Sequence, residues 1–173
     1  MFNLHKSRRS EPRRLIRPHH PKSRIAHKKV LMAAKEDATC KRLMTIPGVG
    51  SVTALAYTST IDIPQRFRSS KAVGPILGLT PKLNESGESR RVGRISLCGD
   101  GMMRTLLYEA AQTLLTRVTK WSWLKAWAMN VAKRRGMRKA IVALARRLAI
   151  IMHRMWLDGT GFRWTREEPA STV

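Results

Sequence analysis

The chain has 173 residues, with 34 Lys+Arg against 11 Asp+Glu, a net charge of +23 and a pI near 11.6. That length fits one domain or a small domain with a tail, and so large a surplus repels itself until a polyanion neutralises it. Apolar residues at 43%, five Trp and nine Met exclude a wholly disordered basic tail.

No apolar run approaches the ~18–20 residues of a bilayer span; Ala140–Ala145 stops at Arg146-Arg147. Met1-Phe2-Asn3-Leu4-His5-Lys6 has no apolar signal region, and two lone cysteines, Cys40 and Cys98, suit a reducing compartment. These bounds indicate a cytoplasmic, soluble, nucleic-acid-seeking chain with no membrane partner.

Residues 1–27 read as a basic, disordered leader, with Pro12, Pro18 and Pro21 set against any helix. It is either a phosphate-contacting arm or a leader without function. From Ala26 to Met44 one helical pattern runs through Val30, Leu31, Ala34, Ala38 and Leu43. Ile46-Pro47-Gly48-Val49-Gly50 forces a tight turn, and Ser51–Tyr57 resumes an apolar run. Ser69 and Ser70 are candidate caps for a short helix to Leu79, which Pro75 kinks or shortens. Residues 80–101 read as an irregular loop or short hairpin. Three helices follow, roughly Gly101–Val118, Trp121–Arg135 and Met137–Leu157, the last with Met137, Ile141, Leu144, Leu148, Ile151 and Met155 on one stripe. The fold class is mainly α: a helix-hairpin-helix, a basic loop and a bundle of three helices. Residues 28–162 form the domain and 163–173 a flexible tail.

Three signals carry chemistry. Pro47-Gly48-Val49-Gly50 lies between two helices, so its backbone can approach another chain closely. The amides opening the second helix then suit a phosphate oxygen, gripping a nucleic-acid backbone without reading bases. The alternative is an αα-turn used only for packing. The stretch from Asn84 to Ser96 sets the hydroxyls of Ser86, Ser89 and Ser96 among Arg90, Arg91 and Arg94. A serine attacks phosphorus only where fixed cations stabilise the developing charge; spacing alone favours an ordinary solvated basic loop. Finally, 110–157 holds eleven Lys/Arg and no acid. Trp121, Trp123 and Trp127 sit among these charges, at least two of them expected in the core. His19-His20 has no partners at metal-ligand spacing and His153 reads as a surface or core residue, so no zinc site is expected. The scattered acids make no metal-nuclease centre.

Taken together, Met44–Gly50, Gly78-Leu79-Thr80-Pro81, Glu85-Ser86-Gly87, Gly93-Arg94-Ile95-Ser96 with Gly99, Met103-Arg104 and Ala140–Leu148 resemble the C-terminal domain of the IS116/IS110/IS902-type insertion-sequence transposases, the bridge-RNA-guided DEDD recombinases. The resemblance covers Lys41 to Phe162. It implies a serine nucleophile, which falls on Ser86, with Ser89 and Ser96 as lesser candidates. It also implies DNA contacts at Pro47, Gly48, Val49, Gly50 and Arg104; Arg90, Arg91 and Arg94 join these by their chemistry. Mg²⁺ is implied for an acidic RuvC-like domain that these 173 residues do not hold, and none for the residues here. The implied partners are DNA, a structured guide RNA, and either further copies or a chain carrying the RuvC-like domain. The function expected is a DNA-binding, strand-exchange portion of a transposase that depends on that domain. A structural RNA-binding protein of ribosomal type, or a nucleoid protein, is the competing expectation.

Overall fold

A computed structural model describes residues 21–86 and 89–165. Helix α1 (Pro21–Glu36) starts inside the stretch expected as leader. Pro21 opens this helix instead of breaking it, since a first-turn N–H has no intrahelical acceptor to lose. The single helix expected over 26–44 is interrupted at Asp37. Its Oδ1 accepts from the Thr39 amide at 2.8 Å, ending α1 and capping α2 (Ala38–Leu43).

After the turn at 44–50, α3 (Ser51–Ile61) carries Ala54, Tyr57 and Ile61 into the core. The segment around Pro75 is shorter than expected: a 3₁₀ turn at Ser70–Ala72 leads into α4 (Val73–Ile76). Ser69 supplies no side-chain cap. Ser70 instead places its hydroxyl 3.0 Å from His153 Nδ1.

The basic loop expected over 80–101 is an antiparallel ribbon, β1 (Pro81–Ser86) and β2 (Ser89–Ile95). The register sets Glu85 opposite Arg90, a pairing of opposite charges that favours this alignment. Pro81 pairs with Ile95 and Leu83 with Val92, so Gly93 and Arg94 together face Lys82 across a bulge.

The three helices that follow lie close to their expected bounds: α5 (Gly101–Thr116), α6 (Trp123–Arg135) and α7 (Met137–Asp158). Asp100 caps α5 by accepting from Met102 and Met103, and Ser122 caps α6. Helix α7 is the axis of the domain, packing on α2, α4, α5 and α6. Its Leu144, Ala145, Leu148, Ala149 and Met152 are fully buried. Two buried polar groups are matched there: Tyr57 donates to the Ala149 carbonyl at 2.6 Å, and His153 Nε2 lies 2.9 Å from the Pro64 carbonyl.

The tail expected from 163 is held against the body through its first residues. Trp123 Nε1 donates to the Arg163 carbonyl at 2.9 Å, and Lys120 Nζ lies 4.2 Å from the Trp164 ring centroid. Among the described residues no helix is long and apolar enough to cross a membrane.

Candidate functional site

The ribbon is the natural starting point, because it carries Ser86. That residue closes β1 and pairs with Ser89; Gly87 and Glu88, between them, lie outside the described residues. Asn84 pairs with Arg91 and Glu85 with Arg90. The side chains of Ser86, Ser89, Arg90 and Arg91 lie outside what the structure describes.

The base of the ribbon is anchored by backbone contact. The Ser96 amide donates to the Thr80 carbonyl at 2.8 Å, and the Leu97 amide to Gly78 at 3.2 Å. Gly78 and Gly99 interlock with the opposite segment: a Cβ on Gly78 would overlap the Cys98 carbonyl oxygen, and one on Gly99 the Ile76 carbonyl oxygen. Arg104 closes this junction. Its Nη1 donates to the carbonyls of Leu77, Cys98 and Gly99 at 3.3, 2.8 and 3.1 Å. Arg104, expected at DNA, is thus engaged in holding the ribbon to α5. Leu97, in the same junction, has a φ of 58° and is 61% exposed.

The turn at 47–50 divides into two roles. Gly48 has a φ of 90°, and a Cβ there would come within 2.5 Å of the Ala110 carbonyl oxygen on α5. Val49 is buried, and its amide donates to Ile46 at 3.1 Å. Gly48 and Val49 therefore pack the turn onto α5. Gly50 is exposed, has open space around its Cα and begins α3 with no side-chain cap.

A groove of about 1000 Å³ separates the ribbon's base from α6 and α7. Leu79, Ile95, Val142, Ala143 and Ile150 give it an apolar floor, and Arg94, Arg138, Lys139, Arg146 and Arg147 are its cations; among the described residues no Asp or Glu lines it. Arg94, expected at DNA, is found here. Arg146 and Arg147, which end the apolar run Ala140–Ala145, are both half-buried on α7. Arg146 Nε lies against Gly74, where a Cβ would stand 3.1 Å from it, and this buried nitrogen has no hydrogen-bond partner. Arg147 lies over Trp127 at 4.2 Å and Trp123 at 5.2 Å, holding both rings in cation–π contact. Trp121 is 61% exposed. The groove was missed from sequence because its two walls are distant in the chain; the Arg146-Arg147 pair interrupting an apolar helix was the available sign.

No group of three or more His, Cys, Asp or Glu able to hold a metal converges among the described residues. Asp37 and Asp100 cap helices, and Asp158 pairs with Arg154. This donor set does not fit Mg²⁺.

The fold and site thus define a basic helical module that projects a serine-bearing ribbon beside a cationic groove. The profile of the transposase IS116/IS110/IS902 family matches residues 40–128, and the chain belongs to that family. It is 42% identical over 121 residues to the transposase for insertion sequence element IS1111A of Coxiella burnetii, covering 69% of this chain and 33% of that protein. It is 31% identical over 128 residues to the transposase for insertion sequence element IS1328 of Yersinia enterocolitica, covering 73% and 38%. The chain spans about a third of the length of the curated relatives it matches.

Proposed function

We propose that this chain is the DNA-binding and strand-exchange portion of an insertion-sequence transposase, acting with an acidic, RuvC-like domain. The observation that carries the reading is the anchored ribbon. Ser86 ends β1 at its far end, while Gly78, Gly99 and Arg104 fix its base to the helical body.

In the proposed step the Ser86 Oγ gives up its proton and bonds to a DNA phosphorus. The P–O bond to a deoxyribose oxygen breaks, and that oxygen leaves with the electron pair and takes up a proton. A hydroxyl of a second DNA strand then attacks the phosphoserine, releasing Ser86 and joining the strands. Arg91, which the register pairs with Asn84 two residues before Ser86, is the cation proposed to stabilise the charge on phosphorus. Backbone contact is assigned to the exposed start of α3 at Gly50, where unmatched amides and the helix dipole favour phosphate. The working site is DNA in the bacterial nucleoid, with a guide RNA and further copies as assembly partners.

The test incubates the chain with labelled duplex, alone and with a chain carrying the RuvC-like domain, and runs native and denaturing gels. A shift that survives denaturation and disappears with Ser86→Ala is expected in the combined sample. Adduct formation by Ser86→Ala, or none in any sample, would overturn the reading.

A further inference from the structure

The groove between the ribbon's base and α7 is not used by the chemistry above, and its composition narrows what it accepts. Its floor is apolar and its rim is cationic, and among the described residues no Asp or Glu lines it. Arg94, Arg138 and Lys139 stand exposed on that rim, where a ligand can reach them.

A base-paired duplex presents phosphates and sugars outward and keeps its bases stacked inside, so it offers nothing to an apolar floor. Unpaired nucleotides offer both parts: phosphates for the rim, and base faces for the floor and for the flat guanidinium of Arg147 stacked on Trp127. Position favours DNA as the occupant. Gly93, Arg94 and Ile95 of the groove wall belong to β2, the strand that runs back to pair with Ser86. Five residue steps from Pro81 to Ser86, at about 3.3 Å each, place the groove about 16 Å from that serine. A few nucleotides span that distance.

We infer that this groove holds unpaired nucleotides of the DNA strand flanking the phosphate addressed by Ser86, with bases on the floor and phosphates on Arg94, Arg138 and Lys139. The inference rests on the DNA reading proposed above. It gives the domain a second contact, specific for opened DNA and separate from duplex binding at α3.

Fluorescence anisotropy of the full chain tests it, using a labelled oligothymidylate of about 12 nucleotides and a blunt duplex of equal length at one ionic strength. Ala143→Glu places a carboxylate on the half-buried floor, and Arg138→Glu inverts charge on the exposed rim without touching the core. Each variant is expected to weaken the oligothymidylate roughly tenfold or more and the duplex less than about threefold. Equal losses for both probes, or no loss, overturn the assignment. Tighter binding of oligouridylate overturns the commitment to DNA, and displacement of the oligothymidylate by an acidic amphipathic peptide favours a protein occupant instead. If the unaltered chain ignores duplex but holds oligothymidylate with this variant pattern, the α3 assignment fails and the groove assignment stands.

Discussion

Gly48 and Gly50 stand two residues apart and answer to different forces. Gly48 sits at positive φ against the backbone of α5, so Gly48→Ala should cost on the order of 2–3 kcal/mol, read as a lowered denaturation midpoint. Gly50 has an extended backbone (φ −93°, ψ 175°) at an uncapped helix start. Gly50→Asp should raise stability by a few tenths of a kcal/mol as a side-chain cap, while weakening duplex binding. Opposite signs for stability and affinity are the signature; parallel losses would return this turn to packing alone. Arg104 separates in the same way. Its three carbonyl bonds predict that Arg104→Met lowers stability by about 1.5–3 kcal/mol; unchanged melting with lost DNA affinity would make it a DNA contact instead. His153 gives a pH signature. Burial holds its pKa below the ordinary 6.5, so the unfolded state binds the proton more readily. Stability is then fully present above the ordinary histidine value and is lost as pH falls through and below about 6.5. Thermal melting from pH 7.5 to 5 should show that decline in the native chain and a flatter profile in His153→Gln. Cys40 is pushed to about 11 by burial, with the Asp37 hydrogen bond acting in the same direction; its thiol therefore stays protonated over this range.

Among the elements, α7 was the most legible because its apolar positions recur at three and four residues and Gly159 follows its end. Pattern also failed in identifiable places. The break at Asp37 is a side chain competing for an amide, which periodicity over 26–44 does not register. The ribbon at 81–95 was open between loop and hairpin. Its arginines and serines lack the apolar alternation of a half-buried strand, and its anchor is made by residues from 74–80, 96–100 and 104. The Ser86 motif was readable from the resemblance, whereas its placement at the end of an anchored ribbon was not. The groove was not readable at all, since Arg94 and Arg146 are brought together only by the packing of α4 against α7. Of the three tryptophans, at least two of them expected in the core, Trp123 and Trp127 pack against it under Arg147 and Trp121 faces solvent.

At the scale of the whole molecule, charge and covalent chemistry make separate demands. A surplus of +23 predicts DNA binding that weakens steeply with salt. Each neutralised duplex phosphate contributes about −0.9 to the log–log slope, so occupation of several sites gives a slope steeper than about −3. A slope near zero would deny the charge any part in binding. Charge alone does not distinguish this chain from other basic proteins; the ribbon does. The decisive measurement is therefore the location of the covalent link. The chain is combined with duplex and a RuvC-like chain, the adduct is isolated under denaturing conditions and digested with protease and nuclease, and the modified peptide is identified by mass spectrometry. The account predicts a nucleotide phosphate on Ser86. A link on Ser89, on Ser96 or outside the ribbon would contradict it, as would a fully reconstituted reaction that yields recombined DNA without any linked peptide.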